Sequence, residues 1–142
     1  MKFDFKEINI GELIYDIVKL KDIDESRILN FFNNKDFDLN QVFSSKYINT
    51  EDLLKWSKLL KYDLFRIYSQ HLMLYANMEP LVAKEDVNQY QVPIFKKSIY
   101  TKEIIRFICE LINTKKMTIE QVIKEYNIPK TTLYRWLKKY NL

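Results

Sequence analysis

One glycine, Gly11, occurs in 142 residues, beside three prolines, Pro80, Pro93 and Pro129. A phosphate-cradling loop or a dinucleotide fingerprint needs at least two glycines in fixed places. Tight hairpins also lean on glycine, which argues against a β-sandwich or barrel. With 47% hydrophobic and 15% aromatic residues the chain has enough apolar mass to fold. What remains is a helical protein. One His and one Cys leave no material for a Cys/His zinc site or a disulfide framework. We therefore expect no metal, no cofactor and a reducing, cytoplasmic setting.

Charge is unevenly spread. Residues 96–142 hold 11 basic and 4 acidic side chains, a net of +7, against 12 and 15 in residues 1–95, a net of −3. A compact basic unit suits a polyanion, most often nucleic acid; a solvated lysine-rich surface is the plain alternative. The longest uncharged run, Ile67 to Met78, is too short to cross a bilayer and contains Gln70, His71 and Asn77. No membrane partner and no targeting segment are expected.

Helical spacing runs through most of the sequence. Ile10, Leu13, Ile14, Ile17 and Val18 share one face. Asp24 reads as the N-cap of a second helix carrying Ile28, Leu29 and Phe32. Asp38 and Gln41 have capping-box spacing ahead of Val42 and Phe43. Asn49 or Thr50 starts a fourth helix, with Leu53, Trp56 and Leu60 inward, and Asp63 caps a fifth from Leu64 to about Tyr75. This fifth helix is apolar on more than one face, so its surplus face needs the following segment or a second subunit. A homodimer through Leu64–Ala76 is one expectation. Pro80, Pro93 and the charged Lys84-Glu85-Asp86 then break the pattern. The organisation expected is all-α: a five-helix unit at 1–78, a proline-bearing linker at 79–98, and a basic three-helix unit at 99–142.

The stretch TIEQVIKEYNIPKTTLYRWLKK, Thr118 to Lys139, is the most informative. Thr118 and Gln121 pair as a capping box. Asn127 stands where a short turn needs a left-handed residue, and Asn tolerates that conformation. Pro129 suits a first helical turn. Val122, Tyr126, Ile128, Leu133, Trp136, Leu137 and Tyr140 read as inward. This is helix-turn-helix spacing, which sets a second helix into the DNA major groove. The outer face of that helix carries Lys130, Thr131, Tyr134, Arg135 and Lys138. Arg can bond a guanine edge, Thr a base edge or thymine methyl, Lys and Tyr a phosphate. Lys115, Lys116 and Thr118 sit at or before the first helix, where backbone N–H groups favour a phosphate, and Lys139 adds charge.

These residues carry a resemblance. Tyr100 to Leu142, above all IPKTTLYRWLKKY, resembles the helix-turn-helix of bacterial insertion-sequence transposases, in particular their small first-frame protein that binds terminal inverted repeats. The whole chain is similar to short bacterial proteins described as transposases, which share the segment LLKWSKLLKYDLFRIYSQHLMLYA. The N-terminal part, with Ile10-Gly11, five short helices and the Leu60/Asp63 ending, resembles a Cro/repressor-like domain. It departs from that family at Glu25, where a phosphate-contacting Gln is usual, and at Leu29, where a small residue is usual. Asn40, Gln41, Ser44 and Lys46 stand near its expected DNA-facing helix, but Asp36 and Asp38 precede them and carboxylates oppose phosphate binding.

The resemblance implies double-stranded DNA recognition by a non-catalytic transposition component of the bacterial nucleoid, with a separate catalytic subunit. A repressor-like transcriptional regulator is the alternative. A third reading is a protein-interaction adaptor that binds no DNA. No enzyme is expected: no converging acidic pair is apparent, and His71 and Cys109 read as packed side chains.

Overall fold

A computed structural model describes residues 3–76, 78, 92, 93, 95 and 99–140. Among them are eight α-helices and no strand. The protein is all-α. Of the expected linker at 79–98, only 92, 93 and 95 are described. Contacts divide the chain into two compact units, with the division inside the fifth helix, between Ser69 and Gln70.

The first unit holds α1 (Ile10–Leu20), α2 (Glu25–Phe32), α3 (Leu39–Ser44), α4 (Thr50–Leu60) and the start of α5 (Phe65–Tyr75). Local chemistry sets the starts. Asn49, not Thr50, caps α4 by accepting from the Asp52 N–H at 2.8 Å. Asp38 accepts from Gln41 N–H at 3.0 Å and Asp63 from Arg66 N–H at 3.2 Å. Asp24 occupies the N-cap of α2 but makes no side-chain capping bond, so α2 starts by backbone conformation alone. Left-handed Asn33 and Lys61 close α2 and α4.

The core of this unit is Ile10, Ile14, Ile17 and Val18 from α1, Ile28, Leu39, then Leu53, Trp56, Leu59, Leu60 and Leu64. Leu13, Phe32, Val42 and Phe43 are half-buried around it. Trp56 is fully buried, with Phe32, Phe37 and Phe43 rings 5.0–6.4 Å away. Its indole N–H has no hydrogen-bond partner among the described residues. Gly11 sits where α1 meets the end of α3: its N–H donates to the Ser45 carbonyl at 3.0 Å. Lys21 Nζ donates to the Leu60 carbonyl at 2.5 Å, satisfying the open end of α4.

In the second unit, the later part of α5 is followed by α6 (Lys102–Asn113), α7 (Ile119–Tyr126) and α8 (Lys130–Lys139), with α6 packed against both α7 and α8. Leu74, Ile104, Ile108, Cys109, Val122, Tyr126, Ile128, Leu133, Trp136 and Leu137 are buried. Gln70, only 2% exposed, is the one buried polar side chain among the described residues. Its amide donates to the Ile99 carbonyl at 2.9 Å and accepts from the Thr101 N–H at 3.0 Å. The chain is thus fixed just ahead of α6, whose cap is Thr101.

Two sequence expectations need correction here. Pro129 is the N-cap of α8, one residue before its first turn, because its ψ of 134° is extended. Tyr140 is not inward; it is the C-cap of α8, 44% exposed, and its ring lies 5.9 Å from Lys139 Nζ. Leu64, just before α5, and Ile67, Gln70 and Leu74 on it are buried, while Phe65 at 37% and Leu72 at 42% are exposed.

Candidate nucleic-acid interface

The site is a consequence of how α7 and α8 are joined. Thr118 Oγ1 accepts from Gln121 N–H at 3.2 Å, and Gln121 Oε1 accepts from Thr118 N–H at 2.8 Å, closing the box at the start of α7. At its end Asn127 is left-handed, with φ 49° and ψ 37°. Ile128 is buried in the turn, and α8 begins at Lys130. The turn is three residues long: a polar left-handed residue, an apolar plug and a proline. Leu133, Trp136 and Leu137 then hold α8 down by one face, with the Tyr100 ring edge-on to Trp136 at 4.9 Å.

Anchoring that face fixes what the opposite one presents. Lys130, Thr131, Tyr134, Arg135 and Lys138 recur at helical spacing and all are exposed. Lys139 is exposed beside Tyr140. Lys130 Nζ lies 5.8 Å from the Tyr134 ring centroid, so the first cation of α8 rests on its neighbouring aromatic. Tyr134 is 48% exposed.

Lys115, Lys116 and Thr118 are also exposed, in the connection from α6 to α7. Lys115 is left-handed, with φ 55°. Its N–H donates to the Ile112 carbonyl and that of Lys116 to Leu111, both at 3.0 Å, closing the end of α6. The capping bond uses Thr118 Oγ1 as acceptor and leaves its hydroxyl proton uncommitted.

Electrostatics separate the two units. Ion pairs among the described residues are Lys46–Glu7 at 3.3 Å, Lys55–Glu51 at 3.1 Å and Arg66–Asp63 at 3.7 Å. None involves a cation of residues 99–140. Helix α8 has four cations and no carboxylate. Sequence reasoning passed over Lys102, Arg106 and Lys124, which are exposed cations of the same unit. In the first unit, α3 exposes Asn40, Gln41 and Ser44, but Ser44 Oγ is bonded to the Asn40 carbonyl at 2.8 Å and Lys46 is paired.

Two consequences can be measured. A lysine in the left-handed region costs about 1 kcal/mol that glycine avoids. Lys115→Gly is expected to raise thermal stability and, if the basic face engages DNA, to lower the salt slope of that binding by about 1. Calorimetry and a salt titration read the opposed effects. The second concerns Tyr126, whose hydroxyl is pushed up to about 12, chiefly by burial and further by Tyr75 and Glu125. An unfolded tyrosine ionises near pH 10. The contribution is intact below about pH 10 and is lost as pH rises toward 12, because only the unfolded state gives up its proton there. Tyr126→Phe is expected to move alkaline unfolding to higher pH, as followed by helical circular dichroism.

Among the described residues no group of three His, Cys, Asp or Glu side chains is placed to hold a metal ion, and no helix is long and apolar enough to cross a membrane. His71 lies 5.2 Å from the Tyr75 ring and Cys109 is buried, its thiol pushed up by that burial. Fold and site together define an all-helical chain of two units, the second ending in a basic helix, α8, that follows α7 across a three-residue turn. No protein-family model, no curated protein and no solved structure matches the chain.

Proposed function

We propose that this protein binds double-stranded DNA sequence-specifically through its second unit, with α8 in the major groove. The observation that carries the reading is the outer face of α8: an exposed, carboxylate-free row of Lys130, Thr131, Tyr134, Arg135 and Lys138, held outward by Leu133 and Trp136. In this reading Arg135 contacts a base edge. Lys130, Lys138 and Lys139 contact phosphates, as do Lys115, Lys116 and Thr118 at the α7 end.

The biological setting follows from the sequence resemblance: a non-catalytic transposition factor of the bacterial nucleoid working with a separate nuclease subunit, or else a repressor-like regulator. A second copy packing on the Leu64–Ala76 helix would supply the two-fold symmetry such DNA sites often have. Sedimentation at micromolar concentration tests that dimer.

The main test is anisotropy of the full chain on duplex DNA across a salt series, followed by selection of a preferred site. Arg135→Ala is expected to cost about 1–3 kcal/mol on that site and to relax its specificity. Lys138→Ala is expected to weaken all sequences alike. Equal loss on every sequence for Arg135→Ala would make it a phosphate contact. No binding at low salt would leave the adaptor reading in its place, a reading that the carboxylates of the first unit favour.

A further inference from the structure

The first unit has its own concavity, a cleft of about 390 Å³ between α1, α2 and α3. Val18, Ile23, Phe37 and Phe43 lie in its lining beside the carboxylates of Glu25 and Asp38, and most of its exposed lining is polar. The acidic character extends past the lining. The residues flanking Ile23 are Asp22 and Asp24, and Asp36 precedes Phe37. From residue 22 to 38 there are five carboxylates against Arg27 and Lys35, and all seven side chains are exposed.

None of these five carboxylates is in an ion pair among the described residues. Asp38 spends one oxygen on the Gln41 N–H; Asp24 spends none on its helix. The single cation lining the cleft, Lys19, lies over the Tyr15 ring at 5.4 Å. Repulsion from such a rim disfavours a phosphate backbone here. A positively charged segment with a planar, weakly hydrated head fits both features, since a guanidinium stacks on aromatic rings and forks onto carboxylates.

We infer that this cleft docks an arginine-bearing segment of a partner protein, the guanidinium held between Glu25 and Asp38 and its stem lying along Val18, Ile23, Phe37 and Phe43. This docking does not depend on the DNA contact proposed for α8.

The test titrates the full chain into a short fluorescein-labelled peptide carrying arginines between leucines, followed by anisotropy at low salt. Saturable binding is expected, at least about tenfold weaker for the same peptide with citrulline in place of arginine, a loss of about 1.4 kcal/mol. The double variant Glu25→Gln/Asp38→Asn is expected to lose a similar factor. Asn is as good an N-cap as Asp, so α3 is kept, and circular dichroism checks it. Glu51→Gln/Asp63→Asn removes the same charge elsewhere on the unit and is expected to bind like the parent chain. No saturable binding, equal binding of the citrulline peptide, or equal loss in both double variants would overturn the inference.

Discussion

Gly11→Ala is expected to destabilise the first unit by about 3 kcal/mol, at the upper end for overpacking a core. A Cβ at this position would lie within 2.7 Å of the Val42, Phe43 and Ser45 carbonyl oxygens. These are backbone atoms at the end of α3, so no side chain can rotate aside. Relief requires α1 and α3 to separate, which breaks the Gly11–Ser45 hydrogen bond and opens the core around Ile10 and Ile14. The midpoint of thermal unfolding is expected to fall by roughly 12–24 °C for a unit of this size. Glycine is used here for closeness of approach rather than for backbone freedom, since Gly11 lies inside a helix and has no positive φ. A melt unchanged by the substitution would mean that α1 and α3 sit farther apart than described.

The second large effect is expected at Gln70. Gln70→Leu keeps the volume roughly constant but leaves the Ile99 carbonyl and the Thr101 N–H without their buried partner. Two orphaned backbone groups cost about 1–3 kcal/mol each. We expect a loss of about 3 kcal/mol from the second unit, with water reaching one of the two groups after the change. Under the proposed DNA reading, affinity is then expected to fall at temperatures where that unit begins to melt, and to be unchanged well below them. Under the same reading, Arg135→Ala is expected to act the other way, weakening binding at all temperatures and leaving the melt alone. Running both variants through the same melt and binding series separates a support from a contact.

Much of this structure was legible because helix starts and stops are local. Thr101, Thr118–Gln121 and Asn49 each satisfy orphan N–H groups within three residues, and that chemistry can be read directly from the chain. Asn127 was readable for the same reason: one residue's tolerance of the left-handed region identifies the turn. The outward face of α8 followed from the positions of Leu133 and Trp136 alone. What was not legible depends on distant atoms. Asp24 has the right identity for a cap, yet its side chain makes no such bond. Tyr140 has the right spacing for the core, but the helix ends at Lys139 and the periodicity ends with it. Gln70 stood in an apolar run as a simple interruption, because its partners are 29 and 31 residues away. The acidic cleft was visible only as scattered carboxylates that argued against DNA.

The reach of Gln70 bears on modularity. A cassette cut to begin at residue 99 would contain all of α6, α7 and α8 but would leave the Ile99 carbonyl and Thr101 N–H to find water instead of an amide. The smallest portable version of this basic unit therefore starts upstream of Gln70, inside or before α5.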